Sequence, residues 1–102
     1  MADDGKITIE KFDGKKLGWW KIQVEALLCQ KDLDVVLKDE KPEKMPQVDW
    51  DRMDKKARTV ITLSVSENVA FNIQKETSAR GMTATLSNIY EKPSTANKVY
   101  QI

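Results

Sequence analysis

Apolar residues recur at intervals of three and four in several short segments, and each segment closes at a residue that breaks helices. Leu17, Trp20, Val24, Leu27 and Leu28 form the first stripe, and Trp50, Met53, Ala57, Val60 and Ile61 the second. Val69, Ala70 and Ile73 form a third, and Met82, Leu86, Ile89 and Tyr90 a fourth. That spacing places each set on one face of a helix rather than one face of a strand. Helices this short are marginal alone, so the stripes must close on one another. The pattern therefore predicts an all-α chain, a small bundle of about five or six short helices. A short extended N-terminal strand or hairpin precedes it.

The punctuation sets the expected bounds. Lys6–Phe12 alternates apolar and polar residues, with Ile7 and Ile9 on one face, and Asp13-Gly14 is a turn signal. Residues 1–16 read as an extended arm and 17–102 as the helical part of one domain. The first helix should span about 17–30, and Asp32 or Asp34 could cap a short turn through Leu37. Residues 38–48, with Pro42 and Pro46, read as an exposed loop. Asp49 is the expected N-cap of a helix over about 50–63, Ser66 of the next, and Thr77 or Ser78 of a fourth. Pro93 ends that helix, and Ser94 could open a last one bearing Ala96, Val99 and Tyr100.

Leu, Ile, Val and Phe make up 24 of the 102 residues, enough for a small core. Seventeen Lys and Arg against sixteen Asp and Glu leave a charge of +1, which argues against a chain built mainly to coat nucleic acid. There is no His, so neither a Ser-His-Asp site nor a His-ligated metal can form. The single cysteine, Cys29, has no partner for an internal disulfide or a zinc pair, and it falls near a helix C-terminus, where a thiolate is disfavoured. No GxGxxG or GxxxxGK[ST] loop is present, and the paired acids lie in polar stretches. No catalytic residue, cofactor, metal or small-molecule substrate is expected. No membrane span or secretory signal is legible, so the expected location is cytoplasmic.

Two features remain. Trp19 and Trp20 are adjacent, so on a helix they point about 100° apart. Trp20 belongs to the core stripe. Trp19 either anchors an interface or packs beneath the N-terminal arm. Lys11, Lys15, Lys16 and Lys21 form a modest basic cluster, the one candidate for nucleic-acid contact, although a solvated lysine face accounts for it better. Asp51, Arg52, Asp54, Lys55, Lys56 and Arg58 read as mixed surface charge on a helix.

Lys11-Phe12-Asp13-Gly14-x-x-x-Gly18-x-Trp20-Lys21 followed by Val24-x-x-Leu27-Leu28 resembles a known opening. Trp50-x-x-x-Asp54-x-x-Ala57 runs on into Ile61-x-Leu63-Ser64-x-Ser66-x-x-Val69, and Leu86-x-x-x-Tyr90-Glu91-Lys92-Pro93-Ser94-x-x-Asn97-Lys98-Val99-Tyr100 closes the pattern. Together, over about residues 7–100, these resemble the N-terminal region of the Gag polyprotein of plant copia-type LTR retrotransposons.

The resemblance implies a helical lobe like the N-terminal part of retroviral capsids. It implies a structural chain that self-associates into cytoplasmic virus-like particles, with a second copy of itself as partner in a homodimer or larger assembly. Phe12 joins the stripes in the expected core. The expected self-association surface includes Trp19, with Phe71, Val99, Tyr100 and Ile102. The zinc knuckle and enzymes of longer relatives are missing from this sequence, which then reads as an isolated capsid piece or a truncated, host-retained copy. A host-retained copy implies a second role, binding full-length Gag to interfere with assembly or serving as an adaptor. Relatives usually carry Thr-Ala-x-Glu at the start of the fourth helix. Here Ser78-Ala79-Arg80-Gly81 stands in that place, so the Glu of a capping box is replaced by Gly.

Overall fold

A computed structural model of the chain describes residues 9–91. Four α-helices and one 3-10 turn appear there, and no named strand among the described residues: α1 (Leu17–Gln30), the turn (Asp34–Leu37), α2 (Gln47–Leu63), α3 (Glu67–Ile73) and α4 (Ala79–Tyr90). The architecture is all-α. The expected last helix after Ser94, with Val99, Tyr100 and Ile102, lies outside the described residues, as does Ile7.

The described part of the arm is tied down by backbone bonds, and no hairpin forms among the described residues. Phe12 makes one parallel bridge with Val65. The Phe12 N–H donates to the Ser64 carbonyl at 2.9 Å, and the Ser66 N–H donates to the Phe12 carbonyl at 2.8 Å. The Trp20 indole N–H donates to the same Ser64 carbonyl at 2.9 Å, so one buried oxygen serves both the arm and α1. The expected Asp13-Gly14 turn forms. Gly14 has φ +111°, and a Cβ there would lie 3.4 Å from the Tyr90 ring. Glycine thus serves both the turn and the close approach of α4.

Helix ends differ from expectation in three places. Asp32 does not cap the following turn. It sits at φ 61° just past α1. Its N–H donates to the Cys29 carbonyl at 3.0 Å, while the Leu33 N–H donates to the Leu28 carbonyl at 2.7 Å. That reciprocal pair is a Schellman termination, with buried Leu33 as its apolar contact. The 3-10 turn then starts behind Leu33 with no side-chain cap. α2 begins at Gln47, because the extended Pro46 presents its carbonyl to the Asp49 and Trp50 N–H groups at 3.1 Å. Asp49 falls inside the first turn, where its charge suits the helix dipole. Ser66 stands at the N-cap of α3 without a side-chain cap bond.

At α4, Ser78 caps as expected, its Oγ accepting from the Gly81 N–H at 2.9 Å. The Glu76 carboxylate folds over the helix start, and its Oε2 accepts from Thr85 Oγ1 at 2.7 Å. A Cβ on residue 81 would lie 2.9 Å from Glu76 Oε1, so Gly81 leaves the room that this carboxylate occupies.

One core joins all five elements. It contains Phe12, Leu17, Trp20, Val24, Leu28, Leu33, Val36, Ala57, Ile61, Val65, Val69, Ile73, Ala79, Met82 and Leu86. Leu27 is buried as well. Trp50, Met53, Val60 and Tyr90 are half-buried against its edge. Full burial of a Leu or Ile contributes about 1.5–3 kcal/mol, and Leu28, Ile61, Ile73 and Leu86 are the largest such side chains. Phe12 meets Trp20 at a centroid distance of 5.3 Å and Tyr90 edge-on at 5.1 Å. Ile89, expected in the core, is 41% exposed. Tyr90 takes the inward place at the end of α4, its hydroxyl accepting from Asn72 Nδ2 at 2.9 Å. Its neighbour Ile89 is turned about 100° away.

Asp54 also departs from the sequence reading. Expected among surface charges, it is only 6% exposed. Its Oδ1 accepts from the Ala79 N–H at 2.8 Å, and its Oδ2 accepts from Arg58 Nε at 2.9 Å. A carboxylate from α2 therefore satisfies a free N–H at the start of α4, where the helix dipole favours negative charge.

Candidate self-association surface

α1 carries apolar residues on two opposite faces. Leu17, Trp20, Val24, Leu27 and Leu28 face inward and are buried. Trp19, Ile22, Ala26 and Cys29 face outward and are exposed. At 100° per residue the centres of the two stripes lie about 170° apart. Trp19 is 56% exposed and Ile22 61%. The only charge within the outward stretch is Glu25, at its edge. An apolar stripe on a helix normally packs against another element. Among the described residues one side alone is covered, by the arm, the 3-10 turn and α2.

The geometry sorts the other expected site residues. Trp19 forms one wall of a shallow groove of about 200 Å³ that Lys11, Lys15, Lys16, Phe12 and Trp20 also line. Both readings of Trp19 therefore meet in one place: it borders the arm and still shows most of its ring. The groove gathers Lys11, Lys15 and Lys16, but Glu10 and Asp13 share its lining and offset their charge. Lys21 is elsewhere, donating to Ser87 Oγ at 3.1 Å and lying 3.9 Å from Glu91. The four-lysine cluster is thus split. Phe71 is 59% exposed on α3 and is not part of the groove.

Ile22, Ala26 and Cys29 escaped the sequence reading. Their signal was present, since 19, 22, 26 and 29 are spaced by three, four and three. It was masked because the inward stripe of the same helix had already explained the apolar content. Among the described residues no cluster of three His, Cys, Asp or Glu could hold a metal. No helix there is long and apolar enough to cross a membrane.

Comparison with known proteins gives the family of this helical domain. Residues 24–102 match the family described as the gag-polypeptide of LTR copia-type. The chain belongs to the copia-type Gag family. It is similar to the retrovirus-related Pol polyprotein from transposon TNT 1-94 of Nicotiana tabacum, with 34% identity over 98 residues. That match covers 93% of this chain and 7% of the tobacco protein, so the chain spans a small fraction of that relative's length. No solved structure matches. The Gag domain is a structural family rather than a catalytic one. The matched residues run from the middle of α1 to the chain's last residue and so include Ala26 and Cys29 of the outward stripe.

Proposed function

We propose that this chain is a non-enzymatic self-association module, the N-terminal capsid part of a copia-type Gag. It contributes to assembly of virus-like particles in the cytoplasm, with further copies of itself as partner. One observation carries the reading: Trp19 and Ile22 are more than half exposed on a helix whose opposite face is already buried. Aromatic residues at such positions are enriched among those that dominate interface energy. A particle needs more than one contact per subunit, and exposed Phe71 on α3 offers a second. RNA contact is not part of this reading, because the groove lysines share their lining with two acids and Lys21 is engaged on α4.

The test is sedimentation equilibrium of the whole chain over a concentration series reaching the millimolar range, alongside Trp19→Asp and Ile22→Lys. The wild-type mass should rise above the monomer, and both variants should shift that rise to at least tenfold higher concentration with unchanged helicity. A wild-type chain that stays monomeric throughout would overturn the reading. Unaltered association in both variants would remove α1 from it.

A further inference from the structure

From the outward face of α1 we infer that its partner is α1 of a second copy, packed antiparallel about a two-fold axis that meets the outward seam at the level of residue 24. This rests on the self-association reading above and names the partner surface and its orientation. Trp19, Ile22, Ala26 and Cys29 repeat as the a and d positions of two heptads, the spacing at which one helix seats its side chains between those of another. All four are exposed. The seam is graded in size, with Trp19 and Ile22 in its first half and Ala26 and Cys29 in its second. A parallel pair would set Trp19 against Trp19 and Ala26 against Ala26, forcing the helices apart at one end and leaving a gap at the other. Antiparallel pairing sets Trp19 beside the partner's Cys29 and Ile22 beside the partner's Ala26, so each large side chain meets a small one. Close-packed interfaces demand that complementarity.

Gly18 supports close approach. Nothing lies within 4 Å of where its Cβ would stand, so no contact within its own fold requires a glycine there. It borders the seam beside the incoming C-terminal end of the partner helix. The contact is small. α1 has 14 residues and is roughly 21 Å long. A pair of such helices covers well under the roughly 800 Å² per partner of a standard interface, so a single contact should be weak and reversible. Many weak contacts of this kind sum to a particle.

Antiparallel pairing fixes distances that a cross-linker reads. Two copies of Cys29 would stand roughly 15 Å apart along the axis, by the helical rise, whereas residue 25, next to the axis, lies beside its own copy. The experiment compares the wild-type chain with Glu25→Cys/Cys29→Ser, each treated with the shortest bis-maleimide at concentrations where sedimentation shows dimer. The double variant should cross-link at least tenfold faster than wild-type Cys29, and adding Trp19→Asp should abolish the difference. Equal or faster cross-linking of Cys29 would overturn the antiparallel arrangement. A rising mass without cross-linking of either chain would move the contact off α1 and leave the assembly reading standing. A constant monomer mass with no cross-linking would end both.

Discussion

The Asp54 carboxylate should be worth far more than its place on a charged helix suggests. Replacing it by Ala removes a charge-assisted bond to the Ala79 N–H, held at 2.8 Å. Such bonds contribute about 1.5–3 kcal/mol, and leaving the buried N–H unpaired is the larger part of the loss. The Arg58 side chain keeps 33% of its surface in solvent, so freeing it costs little and the ion pair itself adds under about 1 kcal/mol. The expected loss for Asp54→Ala is thus about 2–3 kcal/mol. A chain of this size has a stability near the lower end of about 5–15 kcal/mol. At about 4–8 °C per kcal/mol, the melting midpoint should fall by about 10–20 °C.

Three variants measured by urea unfolding under circular dichroism separate the causes. Asp54→Asn keeps an acceptor for the Ala79 N–H and should lose about half as much. Arg58→Met removes only the partner charge and should lose under about 1 kcal/mol. Equal losses for Arg58→Met and Asp54→Ala would show that the ion pair, not the α4 start, is what matters. A loss below about 0.5 kcal/mol for Asp54→Ala would show that water satisfies the Ala79 N–H.

Asp32→Gly should stabilise the domain by about 0.5–1 kcal/mol, because Asp32 holds φ 61° at the end of α1 and glycine adopts that conformation freely; a loss in urea unfolding would contradict the Schellman reading. Gly81→Ala should fall well short of the roughly 1 kcal/mol gain usual inside a helix, since the new Cβ meets the Glu76 carboxylate at 2.9 Å. In a Glu76→Ala background more of that gain should return, and a full gain in the wild-type background would refute the crowding argument. The melting midpoint of the wild-type chain should climb with protein concentration, while Trp19→Asp should melt at one temperature throughout, because only association-competent chains gain stability by mass action. With at most three groove lysines available, any affinity for single-stranded RNA should fall with salt at a log–log slope no steeper than about −2, and a steeper slope by filter binding would require a larger basic surface.

The helices were legible because burial dictates their period: the stripes named from spacing supply most of the core, Leu17, Trp20, Val24 and Leu28 among them, while Trp50, Met53 and Val60 reach only its edge and Ile89 stays exposed. What spacing cannot carry is the partner of a polar group. Asp54 and Arg58 stand four apart on a helix rich in charge, a pattern that is normally solvated. Only the arrival of Ala79 from 25 residues away buries the carboxylate. Asp49 lost the cap for a related reason, since Pro46 already presented an extended backbone and an oriented carbonyl three residues ahead of the expected cap. Ile89 and Tyr90 both satisfied the spacing of α4, and the contest between them was decided by a ring edge on Phe12 and a hydroxyl beside Asn72. None of those contacts leaves a mark within the helix itself.

α1 is the opposite case, where the sequence carries a second message in the same period. A 14-residue helix can do this because of its length. A strict heptad seam drifts only about 20° per seven residues against a straight helix. Over two heptads the outward seam therefore stays clear of the inward stripe, and the helix need not supercoil to keep both faces separate. A longer helix with the same seam would wrap it toward the core and lose one face or the other. Within a single copy, Trp19 and Ile22 return little by staying exposed and add a risk of nonspecific association. In the proposed pairing the heptad spacing and the size gradient along it would turn that liability into a specific contact, since a seam of random apolar residues would favour no single register or orientation.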